Sequence, residues 1–190
     1  WREVLFLNKM NNRGSVLVLL VVVVAIVTAL GSSLLNIVFA NYDIKRFNTE
    51  SKRAYYLSEN GLNESYVRTR CLIKEAIEDS VDKTELYLIE YPLNEEAAKN
   101  IFKTNYKQYL TANIKSRINR HGNPSVEIRN LGSLIFISDV LIVSLRSAYV
   151  LDEVEKITCV ELNISVPEFD DVNDEVYDVK DYIEFGNWNS

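Results

Sequence analysis

Proline is scarce: the 190 residues hold three, none of them between Gly14 and Tyr91. Nothing in that stretch forces a helix to break. Glycine is thin too, at six residues, and builds neither a phosphate-cradling loop nor a Gly-x-Ser-x-Gly nucleophile context. The single histidine, His121, stands in the Gly/Pro turn "RHGNPS" with no cysteine or second histidine near it. A histidine-based metal site and histidine-dependent catalysis therefore have little sequence support. No enzyme motif and no cofactor signature are present. Basic residues are outnumbered, 21 against 27 acids, and nowhere form the clustered face that nucleic acid requires.

Two cysteines are too few to define a disulfide scaffold. Both follow the long apolar run described below, so in an exported chain Cys71 and Cys159 could pair. Against this, Val160, Leu162, Ile164 and Val166 make the apolar face of "TCVELNISV". Strand alternation then turns Cys159 to the opposite face, away from any helix packed on the sheet. Free thiols are the other reading.

Charge is missing altogether from Ser15 to Tyr42. Val16 to Ala40 alone would make a helix of ~37 Å, long enough to span a bilayer. Residues 1–14 carry a net +2 and residues 167–190 a net −7. Met10 is the only methionine; if translation starts there, "MNNRG" is a short basic leader. Three readings fit the apolar run. As a secretory signal it would end at a small-residue site near "ALG", but apolar sequence continues through Leu34, Leu35, Ile37, Val38, Phe39 and Ala40. As a plain anchor its orientation is undecided, because basic residues flank both sides: Arg2, Lys9 and Arg13 before it, and Lys45, Arg46, Lys52 and Arg53 after it. In the third reading the helix passes unbroken into a folded domain.

Beyond Tyr42 the helical period persists. Ile44, Phe47, Ser51, Ala54, Tyr55, Ser58, Leu62, Tyr66, Thr69, Ile73, Ala76 and Ile77 recur at three- and four-residue steps. This predicts one helix of about 65 residues, half apolar and half amphipathic. A second amphipathic helix is expected from about Asn94 to Asn119, with Asn94 as N-cap and Glu95 and Glu96 in its first turn. From Ser125 the period switches. "SVEIRN", "LIFIS", "VLIVSLRSAYVL" and "ITCVELNISV" read as an antiparallel meander of three or four strands. The acidic tail 167–190 contains Phe169, Tyr177, Tyr182, Phe185 and Trp188, so part of it should dock on the domain. Within it Asp170, Asp171, Asn173 and Asp174 are a weak calcium candidate, lacking the glycine and terminal glutamate of an EF-hand loop. A solvated acidic face is the alternative. The sequons at Asn63 and Asn163 fall on predicted helix and strand and read as chance.

Three segments, "RGSVLV" (Arg13 to Val18), "TALG" (Thr28 to Gly31) and "AYYLSENGL" (Ala54 to Leu62), resemble the type IV pilin-like proteins, and more narrowly the PilX-type minor pilin N-terminal region. In the family the last segment has an alanine, four residues on another alanine followed by glutamate, then glycine and leucine. Ala54, Ser58, Glu59, Gly61 and Leu62 fill those places here, with Ser58 departing. The resemblance implies an α+β, pilin-like fold: a leader 1–14, a membrane or filament-core helix 15–42, its amphipathic continuation 43–80, an α+β head 81–166 and the acidic tail 167–190.

It further implies cleavage by a prepilin peptidase between Gly14 and Ser15. The subunit would wait as a single-pass protein in the cytoplasmic membrane, head outside, and then assemble with other pilin subunits through a pilus assembly platform. Major pilins of this pattern carry a glutamate five residues into the mature chain. Leu19 occupies that place here, which favours a minor, initiating or tip subunit. The alternative to a minor pilin or pseudopilin is a single-span, membrane-anchored extracytoplasmic binding protein that is never processed as a prepilin.

Overall fold

A computed structural model describes residues 2–92, 94–152, 154–173 and 177–189, with side chains from Gly14 to Trp188 among them. The chain divides into two compact units, residues 1–49 and 50–190. Helix α1, Arg2–Glu90, contributes to both. At 89 residues it is longer than the 65 that periodicity suggests. Its amphipathic stripe does not end at residue 80 but continues through Ser80, Val81, Thr84 and Leu88. Pro92, which bars the preceding residue from helical geometry, follows directly.

In the N-terminal unit every side chain from Gly14 to Thr49 is exposed. The helix there is long and apolar enough to cross a membrane. Thr28 donates its hydroxyl to the carbonyls of Val24 and Ala25 at 3.0 and 2.9 Å, and Ser32 donates to Thr28 at 2.9 Å. These polar groups are satisfied inside the helix, which lowers their cost in an apolar surrounding.

The C-terminal unit is α+β. Helix α2, Glu95–Ile118, is capped by Asn94, whose side chain accepts from the Ala97 amide, and buries Ala98, Phe102, Tyr106, Leu110, Ile114 and Ile118 at helical spacing. Five antiparallel strands follow: β1 Ser125–Ile128, β2 Phe136–Ile137, β3 Val140–Leu151, β4 Val154–Ser165 and β5 Ile183–Asn189. Their order is β1-β3-β4-β5, with β2 also pairing β3. This corrects the simple meander. Only two residues of "LIFIS" pair, so β1 and β2 share one edge of β3, at Leu145 to Ala148 and at Val140 to Leu141.

The acidic tail is also built in rather than appended. Its short helix α3, Phe169–Asn173, buries Phe169 and Val172, and β5 runs along β4. Phe185 stacks on Tyr66 of α1 with ring centroids 4.8 Å apart. The core joins α1 (Leu62, Leu72, Ile73, Ile77) and α2 to the inner face of the sheet (Leu141, Val143, Leu145, Val160, Leu162, Ile164). Tyr106 lies fully within it. Its hydroxyl donates to the Ser165 carbonyl at 3.2 Å, and burial pushes its pKa up.

Candidate functional site

The segment Arg13-Gly14-Ser15 is helical, within α1. An added Cβ at Gly14 would meet nothing within 4 Å. A glycine inside a helix costs ~1 kcal/mol relative to alanine, and no neighbour requires its lack of a side chain here. Ser15 and Leu19 are exposed.

The segment Ala54 to Leu62 lies under different constraints. Ala54, Ser58 and Leu62 are completely buried, Gly61 is buried and Glu59 is half-buried. Helical spacing places the four buried residues on one face. Ser58 and Gly61 meet a pair of small hydroxylated residues, Thr158 and Ser147, opposite one another across β3 and β4 and both buried. A Cβ on Gly61 would lie 2.5 Å from Ser147 Oγ and 3.1 Å from two carbons of the Pro124 ring. Glycine is therefore the residue that lets α1 approach the sheet this closely.

Ser58, the departure from the family pattern, has a specific partner. Its Oγ lies 2.6 Å from Thr158 Oγ1 and donates to the Tyr55 carbonyl at 2.8 Å. With its one proton committed to Tyr55, Ser58 must accept from Thr158. Ser147 Oγ and Arg70 Nε are buried without a hydrogen-bond partner among the described residues. The other buried hydroxyls of α1, Ser65, Thr69, Ser80 and Thr84, each donate to the carbonyl four residues earlier, at 2.6 to 2.9 Å.

Cys71 and Cys159 are free, so the disulfide reading is set aside. Cys71 is exposed on α1, and Cys159 sits on the outer sheet face with Arg129 Nη1 4.0 Å from its sulfur. Among the described residues no group of three or more His, Cys, Asp or Glu is placed to hold a metal ion. Of the calcium candidates, Asp170 pairs with Lys99 at 2.5 Å, Asp171 lies beside it in α3, and Asn173 ends α3. Asp174 falls outside the described residues.

Sequence reasoning missed a ladder of lysines on α2. Lys99, Lys103 and Lys107 recur every four residues and grip the tail and the β2–β3 turn: Lys99 to Asp170, Lys103 to Glu168 at 3.0 Å, and Lys107 to Asp139 at 2.6 Å. The hydrogen bond from Lys107 holds the Asp139 carboxyl below its ordinary range, and the one to Glu168 raises Lys103. The i, i+4 spacing was visible in the sequence, but its acceptors lie far along the chain. Glu64 of α1 is engaged both by Arg68 of the same helix and by Arg120, just beyond α2, and Arg68 in particular lowers its pKa.

Compared with known proteins, the chain matches no family model, no curated protein and no solved structure.

Proposed function

We propose that the chain is a minor pilin or pseudopilin: a structural subunit of a type IV pilus or related filament, cut after Gly14 by a prepilin peptidase and assembled through its N-terminal helix. The observation that carries this reading is the division of labour along α1. One stretch exposes an apolar surface on all sides from Ser15 to Tyr42. Another, from Ala54 onward, is the central element of an α+β core. A helix clothed in Val, Leu and Ile all round suits lipid before assembly and a bundle of like helices after it, since the two environments are comparably apolar.

Gly14 supports the processing site. Packing gives no reason for it, whereas a peptidase needs the backbone unwound and approachable, and glycine eases both. Leu19, at the place of the glutamate of major pilins, supports a minor or initiating position, because no buried carboxylate then seeks a neighbouring amine.

The test is mass spectrometry of the mature N-terminus after expression with a prepilin peptidase. A chain starting at Ser15 is expected, and Gly14→Leu should abolish that product while leaving membrane insertion intact. An intact leader in the unsubstituted chain would instead identify a membrane-anchored binding protein.

A further inference from the structure

The C-terminal unit contains two clefts of opposite character, both built on α1. The first, about 260 Å³, is lined by Ser51, Lys52, Tyr55 and Tyr56 of α1 and by Lys156 of β4. Neither lysine, nor the adjacent Arg53, forms an ion pair among the described residues. Elsewhere in the unit Lys99, Lys103, Lys107, Arg117, Arg120 and Arg146 are paired.

The second cleft, about 460 Å³, has Glu78, Asp82 and Glu85 along its α1 wall, with Val81 and Val172 as apolar lining and Tyr177 opposite. The three acids, at i, i+4 and i+7, share one helix face. Asp82 and Glu85 have no ion pair among the described residues. Glu78 meets only Lys74, at 3.6 Å with both side chains more than half exposed.

Tyr55 and Asp82 are ~40 Å apart along a single helix, so the cationic cleft cannot reach the acidic one in its own molecule. We propose that the cleft of Ser51, Lys52, Tyr55, Tyr56 and Lys156 receives the Glu78, Asp82 and Glu85 face of a second copy of this chain. The two lysines pair with its carboxylates while the serine and tyrosine hydroxyls donate to the remaining oxygens. Between two parallel copies the contact sets one ~40 Å along the helix axis from the other, so the interface is heterologous and repetition extends it. The proposal rests on the filament reading above and specifies one contact between its subunits. Ion pairs at such a partly exposed interface weaken with salt.

The test uses the full chain in detergent micelles, where copies are free to stand offset along the helix axis, with unlabelled and 15N-labelled copies mixed in equal amounts and treated with a carbodiimide that joins lysine to carboxylate. Mass spectrometry should find mixed-label links from Lys52 or Lys156 to Glu78, Asp82 or Glu85. These links should fall at least tenfold in Lys52→Glu/Lys156→Glu at unchanged circular dichroism. Charge-reversed partners, Glu78→Lys/Asp82→Lys/Glu85→Lys, should restore cross-linking to that variant. Mixed-label links absent from these residues, or undiminished by the reversal, overturn the proposal. So does a loss in the lysine variant confined to binding of phosphatidylglycerol vesicles, which would make the cleft a lipid headgroup site. Cleavage at Gly14 is scored separately. An uncut chain that still forms the links keeps the contact and removes the filament reading; a cut chain without them removes the contact alone.

Discussion

Gly31 and Gly61 stand on the same helix and answer to different rules. A side chain added at Gly31 would meet nothing within 4 Å, whereas one added at Gly61 would run into Ser147 and the Pro124 ring. The contrast extends to leucine and serine. Leu34 is 63% exposed and Leu62 0%. Ser32 satisfies its hydroxyl on its own helix, while Ser58 also accepts from a strand a hundred residues away. In the first stretch the surroundings must come from outside the molecule. In the second the molecule supplies them along one face, where Ser58 and Gly61 each meet a named neighbour.

The contrast breaks most visibly in paired leucine truncations. Leu62→Ala should destabilise the C-terminal unit by ~2–5 kcal/mol through lost burial and a residual cavity. That corresponds to a fall in Tm of ~10 °C for a unit of this size. Leu34→Ala should leave that Tm unchanged. Thermal unfolding of the full chain in detergent, followed by near-ultraviolet circular dichroism, measures both; equal shifts would abolish the distinction.

Glycine substitution is a finer version. At Gly61, alanine gains ~1 kcal/mol of helix propensity, but overpacking against Ser147 and Pro124 costs ~1–3 kcal/mol, so a net loss of ~1 kcal/mol is expected. At Gly31 nothing opposes the gain, and the C-terminal unit should be indifferent. A stabilising Gly61→Ala would show that the sheet can give way.

Ser58 and Thr158 provide the next step down. Ser58→Ala leaves the Thr158 hydroxyl buried without its acceptor, at ~1–2 kcal/mol. Adding Thr158→Val should recover part of that loss, because no orphaned hydroxyl then remains. A double-mutant cycle with no coupling would mean that the 2.6 Å contact contributes nothing.

These pairs also explain what could be read in advance. The helical period and the absence of proline made α1 legible, and Asn94, Glu95 and Glu96 made the start of α2 legible, because those signals are local. The long strands β3 and β4 follow from their β-branched alternation. β5 was hidden. Its sequence "IEFGNWN" is short, acidic at one position and interrupted by Gly186, where the register against β4 shifts. The role of Gly61 was hidden for another reason: the residues that require it, Ser147 and Pro124, lie in distant parts of the chain. Ser58 read as a departure from a pattern, and only its distance to Thr158 turns it into a matched pair.

The smallest expected effect tests the opposite kind of interaction, charge at the surface. Ser138 and Asp139 form the two-residue turn between β2 and β3 with φ of 49° and 65°, a conformation that aspartate and asparagine tolerate better than most residues. Asp139→Asn therefore keeps the turn and removes only the charge that Lys107 and Lys103 hold at 2.6 and 3.6 Å. Asp139 is 45% exposed, so solvent screening limits the loss to below ~1 kcal/mol. Its carboxyl lies below the ordinary value of 3.8, so the contribution is present above that pH and is lost as pH falls through the lowered value. Lys103 is raised above 10.5, so its share is present below that pH and is lost as pH rises through the raised value. The Tm gap between parent and Asp139→Asn should thus be flat near neutrality, close on acidification below 3.8, and shrink in high salt. A gap that ignores both acid and salt would mean that asparagine alters the turn itself. The apolar stretch of α1 supplies the control: it carries no titratable side chain from Ser15 to Asn41, so the same acidification should leave its helicity untouched.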